Sequence, residues 1–176
     1  LIAQQGAPAT YYNGFNWSQT ATSLKNALST KITSTHTNTL SYQQAENALK
    51  VVDLDPTDAT NTNVLLLYGF SANICPSSTS DDNDHRRRNK SSDGGGASCQ
   101  WNREHTYPKS LGNPNLGESG PGADAHHLRA SDVQRNGERG SKKFAAGNGN
   151  SNTVGSNWYP GDEWKGDVAR MMMYMY

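Results

Sequence analysis

The chain has little that would build a large core, cross a membrane or draw a polyanion from a distance. Only 33% of its 176 residues are apolar, and no run approaches the roughly 18 to 20 apolar residues of a spanning helix, so an integral helical membrane protein is excluded. Sixteen basic residues balance sixteen acidic ones. With no global field, any nucleic-acid surface has to be a local basic patch. The two cysteines, Cys75 and Cys99, fit no zinc pattern. They bracket a Gly/Ser/Asp-rich loop, and in an oxidising compartment a bridge between them would staple it; two free thiols are the alternative.

What is present fits one α+β domain over residues 1–176. Residues 20–32 carry Ala21, Leu24, Ala27, Leu28 and Ile32 at helical spacing, which predicts an amphipathic core helix. A second helix is announced by the capping box Ser41-Tyr42-Gln43-Gln44 and buries Ala45, Ala48, Leu49 and Val52. Val64 to Tyr68 reads as a buried strand. Strands follow over Gln100 to Tyr107 and Asp124 to Ala130, and Ser131-Asp132-Val133-Gln134 opens a helix through about Gly140. Gly147 to Asn157 is flexible by composition. A last helix runs into Met171-Met172-Met173-Tyr174-Met175-Tyr176 with no stop signal, as expected of a truncated C-terminus. The opening Leu1 to Gln5 reads as the remnant of a signal peptide. Asp81 to Asp84 lacks the spacing of a calcium loop and reads as an exposed acidic turn.

Candidate chemistry gathers in two segments. His105 has an ordinary pKa near neutrality, so it can take a proton from water, and Glu104 is a hard oxygen ligand suited to Mg²⁺. Neighbours in a strand face opposite ways, so the two share a site only if the strand bends near Pro108. Asn136 offers a carbonyl oxygen and Arg139, three residues on, a planar fork for phosphate. Basic patches are expected at Arg86-Arg87-Arg88 with Lys90 and along Arg135, Arg139, Lys142 and Lys143, a solvated face being the alternative for each. His126 and His127 are a poor chelating pair on a strand; Asp124 or His126 is expected to orient the site, and His127 to be structural or exposed.

Trp101-Asn102-Arg103-Glu104-His105-Thr106-Tyr107-Pro108, with Asp124-Ala125-His126-His127-Leu128-Arg129-Ala130 and Asn136-Gly137-Glu138-Arg139, resembles the two halves of the endonuclease I family. These are periplasmic or extracellular bacterial nucleases with a ββα-metal (His-Me finger) core. The resemblance implies His105 as general base, Glu104 and Asn136 as ligands of one divalent metal, and Arg139, Arg129 or Arg170 on the cleaved phosphate. It implies Mg²⁺, with Mn²⁺ or Ca²⁺ as substitutes. The substrate would be DNA, or RNA as well, held through phosphates without base readout by a secreted or periplasmic monomer that leaves 5′-phosphate ends. Two other classes stay open at this stage. One is an inactive secreted binding or adhesion module on the same scaffold; the other is a zinc phosphoesterase for small molecules.

Overall fold

The computed structural model describes residues 10–74 and 84–176, which divide into two compact units, one through Asn38 and one from Thr39 onward. Cys75 and Asp81 to Asn83, like Leu1 to Gln5, lie outside the described residues, and with them the disulfide, most of the acidic turn and the leader remnant.

In the first unit, Tyr12, Phe15 and Trp17 pack edge to face or tilted, 4.7 to 5.9 Å apart. The helix that follows, α1 (Ala21–Thr35), has the predicted position but buries no residue. The expected core helix is therefore a surface helix. Its stripe of alanines with Leu24, Leu28 and Ile32 is too small to anchor it, and Tyr11 instead hydrogen-bonds Thr35 at 2.8 Å.

The second unit opens with α2 (Tyr42–Val52). Ser41 Oγ accepts from Gln44 N while Gln44 Oε1 accepts from Ser41 N, so both halves of the box are made. Ala45 and Leu49 are buried; Val52, expected inside, is 65% exposed although it continues the Ala45–Leu49 stripe, because it is the last residue of the helix. Ser41→Ala should cost about 1 kcal/mol, read as a lower urea midpoint at unchanged slope.

The apolar run then alternates between two cores. Val64 and Leu66 join Ala45, Leu49, Trp101, Ala123, Leu128 and Ala130, whereas Leu65 and Leu67 join Trp158, Trp164, Val168 and Met171. Only Asn63–Leu65 forms β1; it pairs antiparallel with β3 (His85–Asn89), which also pairs parallel with β2 (Ser71–Ile74). Past β1 the run changes sheet, with Leu67 N–H donating to Ala130 O at 2.8 Å.

That second sheet carries the interest. β4 (Trp101–His105) lies antiparallel to β5 (Leu128–Asp132), with Trp101 opposite Asp132 and His105 opposite Leu128. β5 starts later than expected, because residues 125–127 form a turn first, with His127 N–H donating to Asp124 O. α3 (Val133–Arg139) follows β5 directly and ends at Gly140, whose positive φ suits glycine. Its cap is Asp132 rather than Ser131: the carboxylate accepts from the N–H groups of Gln134 and Arg135. A charged acceptor serves a helix N-terminus better than a hydroxyl does.

The Gly147–Asn157 stretch is not simply a loop. It enters a hairpin of β6 (Asn152–Val154) and β7 (Asn157–Tyr159), tied to Phe144 by a bridge at Trp158. The hairpin turns through Gly155, which also has a positive φ, as tight hairpin turns require. α4 (Lys165–Tyr174) follows, with Met171 in the core and Met173 exposed. Helices and small sheets together make an α+β fold. No helix among the described residues is long and apolar enough to cross a membrane.

Candidate active site

A cavity of about 280 Å³ opens where β4 ends, lined by Arg103, Glu104, His105, Lys109, Asn136 and Arg139 together with Pro108, Ser110, Asn115, Gly140 and Ser141. Glu104 and His105 thus reach one cavity although the ladder to β5 is regular and no bulge turns either residue. The expected bend is not what unites them. His105 is the last residue of the strand, so the cavity wraps the strand's end and takes in both faces.

Glu104 is 2% exposed, and two buried donors converge on its Oε1: Tyr68 Oη and Arg139 Nη1, each at 2.7 Å. Burial pushes its carboxyl up to about 7, against the pull of the Arg139 guanidinium and then the Tyr68 hydroxyl. His105 sits on the other side, its Nε2 2.9 Å from the Gly122 carbonyl and its ring stacked on Tyr42 at 5.9 Å. A carbonyl only accepts, so Nε2 carries the proton and Nδ1 keeps the lone pair. Burial lowers the His105 pKa to about 4, so the ring is neutral at ordinary pH.

Asn136 is held across the β4–α3 seam. Its Nδ2 donates to Asn102 Oδ1 at 2.6 Å and to Arg103 O at 3.3 Å. The second acceptor is a main-chain carbonyl, which fixes the amide's orientation and leaves Oδ1 as the end these bonds do not use. Two oxygen donors from protein, with room for water, match the habits of Mg²⁺. Among the described residues there is no cluster of three or more His, Cys, Asp or Glu that could hold a metal.

Arg139 lines the cavity, but its fork is buried and bonded to protein. It is 1% exposed, and Nη1 meets Glu104 and the His105 carbonyl while Nη2 meets the Thr106 carbonyl. Its two Nη nitrogens serve protein acceptors, while its buried Nε has none.

The basic patches fare likewise. Arg86 pairs with Glu163, Arg87 with Asp55 at 2.6 Å, buried Arg88 with Asp132 at 2.7 Å, and Arg129 with Asp53 at 2.5 Å. Arg86–Arg88 are therefore a strand of ion pairs rather than a cationic surface. Arg170 pairs with Asp167 on α4. Lys142 donates to the Glu138 carbonyl, and Lys143 is exposed. The cations that line the cavity besides Arg139 are Arg103, which bonds Glu46 and the Tyr42 carbonyl, and Lys109, whose partner Glu118 is 65% exposed.

Asp124 and His126 also turn away from the cavity. His126 Nδ1 meets Asp124 Oδ1 at 2.7 Å, Tyr174 of α4 donates to Asp124 Oδ2, and the His126 ring stacks on Tyr174. His127, expected to be structural or exposed, is fully buried, its ring 5.7 Å from that of His105 and its Nε2 on the Pro121 carbonyl. The residues missed from sequence are Tyr68, Asn102, Tyr42 and Lys109. Of these, Asn102 and Lys109 had a signal, since they flank Glu104-His105 in the motif.

These features, a strand pair leading into a helix with a carboxylate, an imidazole and an amide around one cavity, define a small hydrolase-like α+β site. The chain belongs to the Endonuclease I family, whose family model matches residues 20–176. It is 42% identical over 99% of its length to an extracellular ribonuclease of Bacillus amyloliquefaciens, and 41% identical over 94% to one of Bacillus subtilis (strain 168). It spans about half of each of these relatives, 55% and 52% of their lengths. No solved structure matches it.

Proposed function

We propose that the chain is a secreted, metal-dependent, sequence-nonspecific endonuclease that hydrolyses RNA as well as DNA at this cavity. The observation that carries the reading is the convergence of Glu104, Asn136 and a tautomer-locked His105 on one cavity. The relatives named extracellular ribonucleases support both the substrate class and the compartment.

In this reading Nδ1 of His105 accepts a proton from the attacking water. Glu104 and Asn136 would hold Mg²⁺, or Mn²⁺ or Ca²⁺ in its place, which would supply charge stabilisation at the leaving 3′ oxygen and so 5′-phosphate ends. Lys109, whose partner Glu118 is exposed, joins Arg139 in the phosphate contact. A water nucleophile needs no 2′-hydroxyl, so one site serves both nucleic acids.

Cleavage of plasmid DNA and of a structureless RNA against Mg²⁺ concentration, with ends typed by ligation, tests the proposal. Activity on both substrates that EDTA removes and Mg²⁺ restores is expected. Undiminished activity in EDTA would reject it, and so would no activity on either nucleic acid, which is the signature of an inert binding module.

Two further results are expected. Lys109→Ala should raise KM and lower the slope of log affinity against log salt by about 1, with Lys109→Arg restoring both. Metal binding at or below about pH 7 should release protons, because the raised Glu104 carboxyl ionises on meeting a cation. Calorimetric titrations in buffers of different ionisation enthalpy measure that release directly.

A further inference from the structure

Tyr68 is an odd residue by three independent measures. It is fully buried, it is a bulky side chain at positive φ, and its hydroxyl spends itself on a carboxylate 36 positions away. The positive φ has a visible consequence. Strand alternation would send Tyr68 to the side of Val64 and Leu66. Instead it packs with Leu65 and Leu67, its ring 5.6 Å from Trp158 and 6.4 Å from Phe144. In that core the tip of the ring reaches Glu104 Oε1 at 2.7 Å.

Backbone strain of this kind persists only where the surroundings over-determine it. Here they do. Leu67 N–H is bonded to Ala130 O, Gly69 N–H to Leu66 O, and the Tyr68 carbonyl accepts from Ser151 Oγ. Gly69 cannot be replaced to relieve the turn, because a Cβ there would collide with the His85 carbonyl oxygen.

The geometry points to Tyr68 as a positioning residue for the divalent-metal site: its hydroxyl, with Arg139, pins Oε1 of Glu104 so that the carboxylate is presented to the cation in one orientation. The inference rests on Glu104 being a metal ligand, as proposed above. Two donors fix one oxygen from different directions, Tyr68 from the apolar core and Arg139 from α3. Neither needs to touch the cation or the substrate. Partners of this kind hold a ligand's orientation, and losing one typically weakens metal affinity about 10- to 100-fold.

Tyr68→Phe removes only the hydroxyl and keeps the ring against Trp158 and Phe144. Mn²⁺ binding to the intact chain, followed by electron paramagnetic resonance, should weaken about 10-fold or more, while activity recovers at high metal. Ser151→Ala is the companion variant, since it loosens the same segment without touching the Tyr68–Glu104 bond. It should lower the melting temperature and weaken Mn²⁺ binding far less than Tyr68→Phe does. Glu104→Gln separates the two levels of the argument. If it abolishes Mn²⁺ binding while Tyr68→Phe binds as the wild type does, the positioning role is wrong and the ligand assignment survives. Should Glu104→Gln bind Mn²⁺ normally, the ligand assignment fails and the positioning role with it. Equal loss of affinity in Ser151→Ala and Tyr68→Phe would reduce Tyr68 to a purely structural part.

Discussion

His105→Ala should lower turnover by about 10²- to 10⁴-fold while Mn²⁺ binding and folding persist. The size follows from what the imidazole does and the selectivity from where it sits. Its Nε2 is committed to the Gly122 carbonyl, so the ring has one nitrogen with a lone pair and no rotational ambiguity about which it is. Tyr42, stacked on the ring, and His127, beside it, hold the plane. None of these partners is Glu104 or Asn136, so removing the ring leaves the oxygen donors where they are.

The pH dependence has a definite sign. With the folded His105 pKa at about 4 against an ordinary 6.5, the ring stays neutral well into the acid range, so the acid limb of kcat/KM attributable to this base lies below 6.5. For stability the unfolded chain binds the extra proton, and the His105 contribution is lost as pH falls from about 6.5 toward 4. Glu104 works the other way. Its folded pKa of about 7 exceeds the ordinary 4.5, so its contribution is present at low pH and lost as pH rises through 7. A pH-rate profile of the wild type, with unfolding curves of wild type and His105→Ala across the same range, separates the two. An acid limb at or above 6.5 would mean that the base is exposed or is another group.

The residues that meet at the cavity were legible because they are local. Glu104 and His105 are adjacent, and Asn136 follows a capped helix start that the sequence announces. The capping box of α2 and the glycine ending α3 were legible for the same reason, being written in three or four consecutive residues. Pairing across the chain was not. Arg86 meets Glu163 across 77 positions and Arg88 meets Asp132 across 44, so a run of three arginines on β3 reads as a cationic patch until its carboxylates are located. Tyr68 was hidden by the opposite problem. At the end of an apolar run it reads as one more core residue, and nothing in the run forecasts a positive φ that turns its hydroxyl toward Glu104. The β6–β7 hairpin was masked by composition, since Gly, Asn and Ser suggest flexibility until Trp158 is seen anchored in the core.

Arg139→Met should destabilise the fold by about 3–5 kcal/mol, a far larger effect than any exposed phosphate-binding arginine would show. Methionine keeps most of the aliphatic volume, so the loss comes from the charge and its bonds rather than from a cavity. Glu104 would be left buried with Tyr68 as its remaining side-chain donor, and the carbonyls of His105 and Thr106 would each lose a partner at the point where β4 runs into the cavity. An ionised carboxylate in that position is costly, so the variant should take up a proton at Glu104 and bind Mn²⁺ weakly even where it folds. The double variant Arg139→Met with Glu104→Gln should recover part of the lost stability, because the neutral amide no longer needs a cation beside it. Arg139→Lys should fall between, since one ammonium cannot reproduce a fork that serves a carboxylate and two carbonyls from different directions. Urea unfolding at one pH of the wild type, the two Arg139 variants, Glu104→Gln and the double variant measures the coupling. The opposite pattern, wild-type stability with lost turnover and normal Mn²⁺ affinity, would leave Arg139 to the phosphate alone and take it away from Glu104.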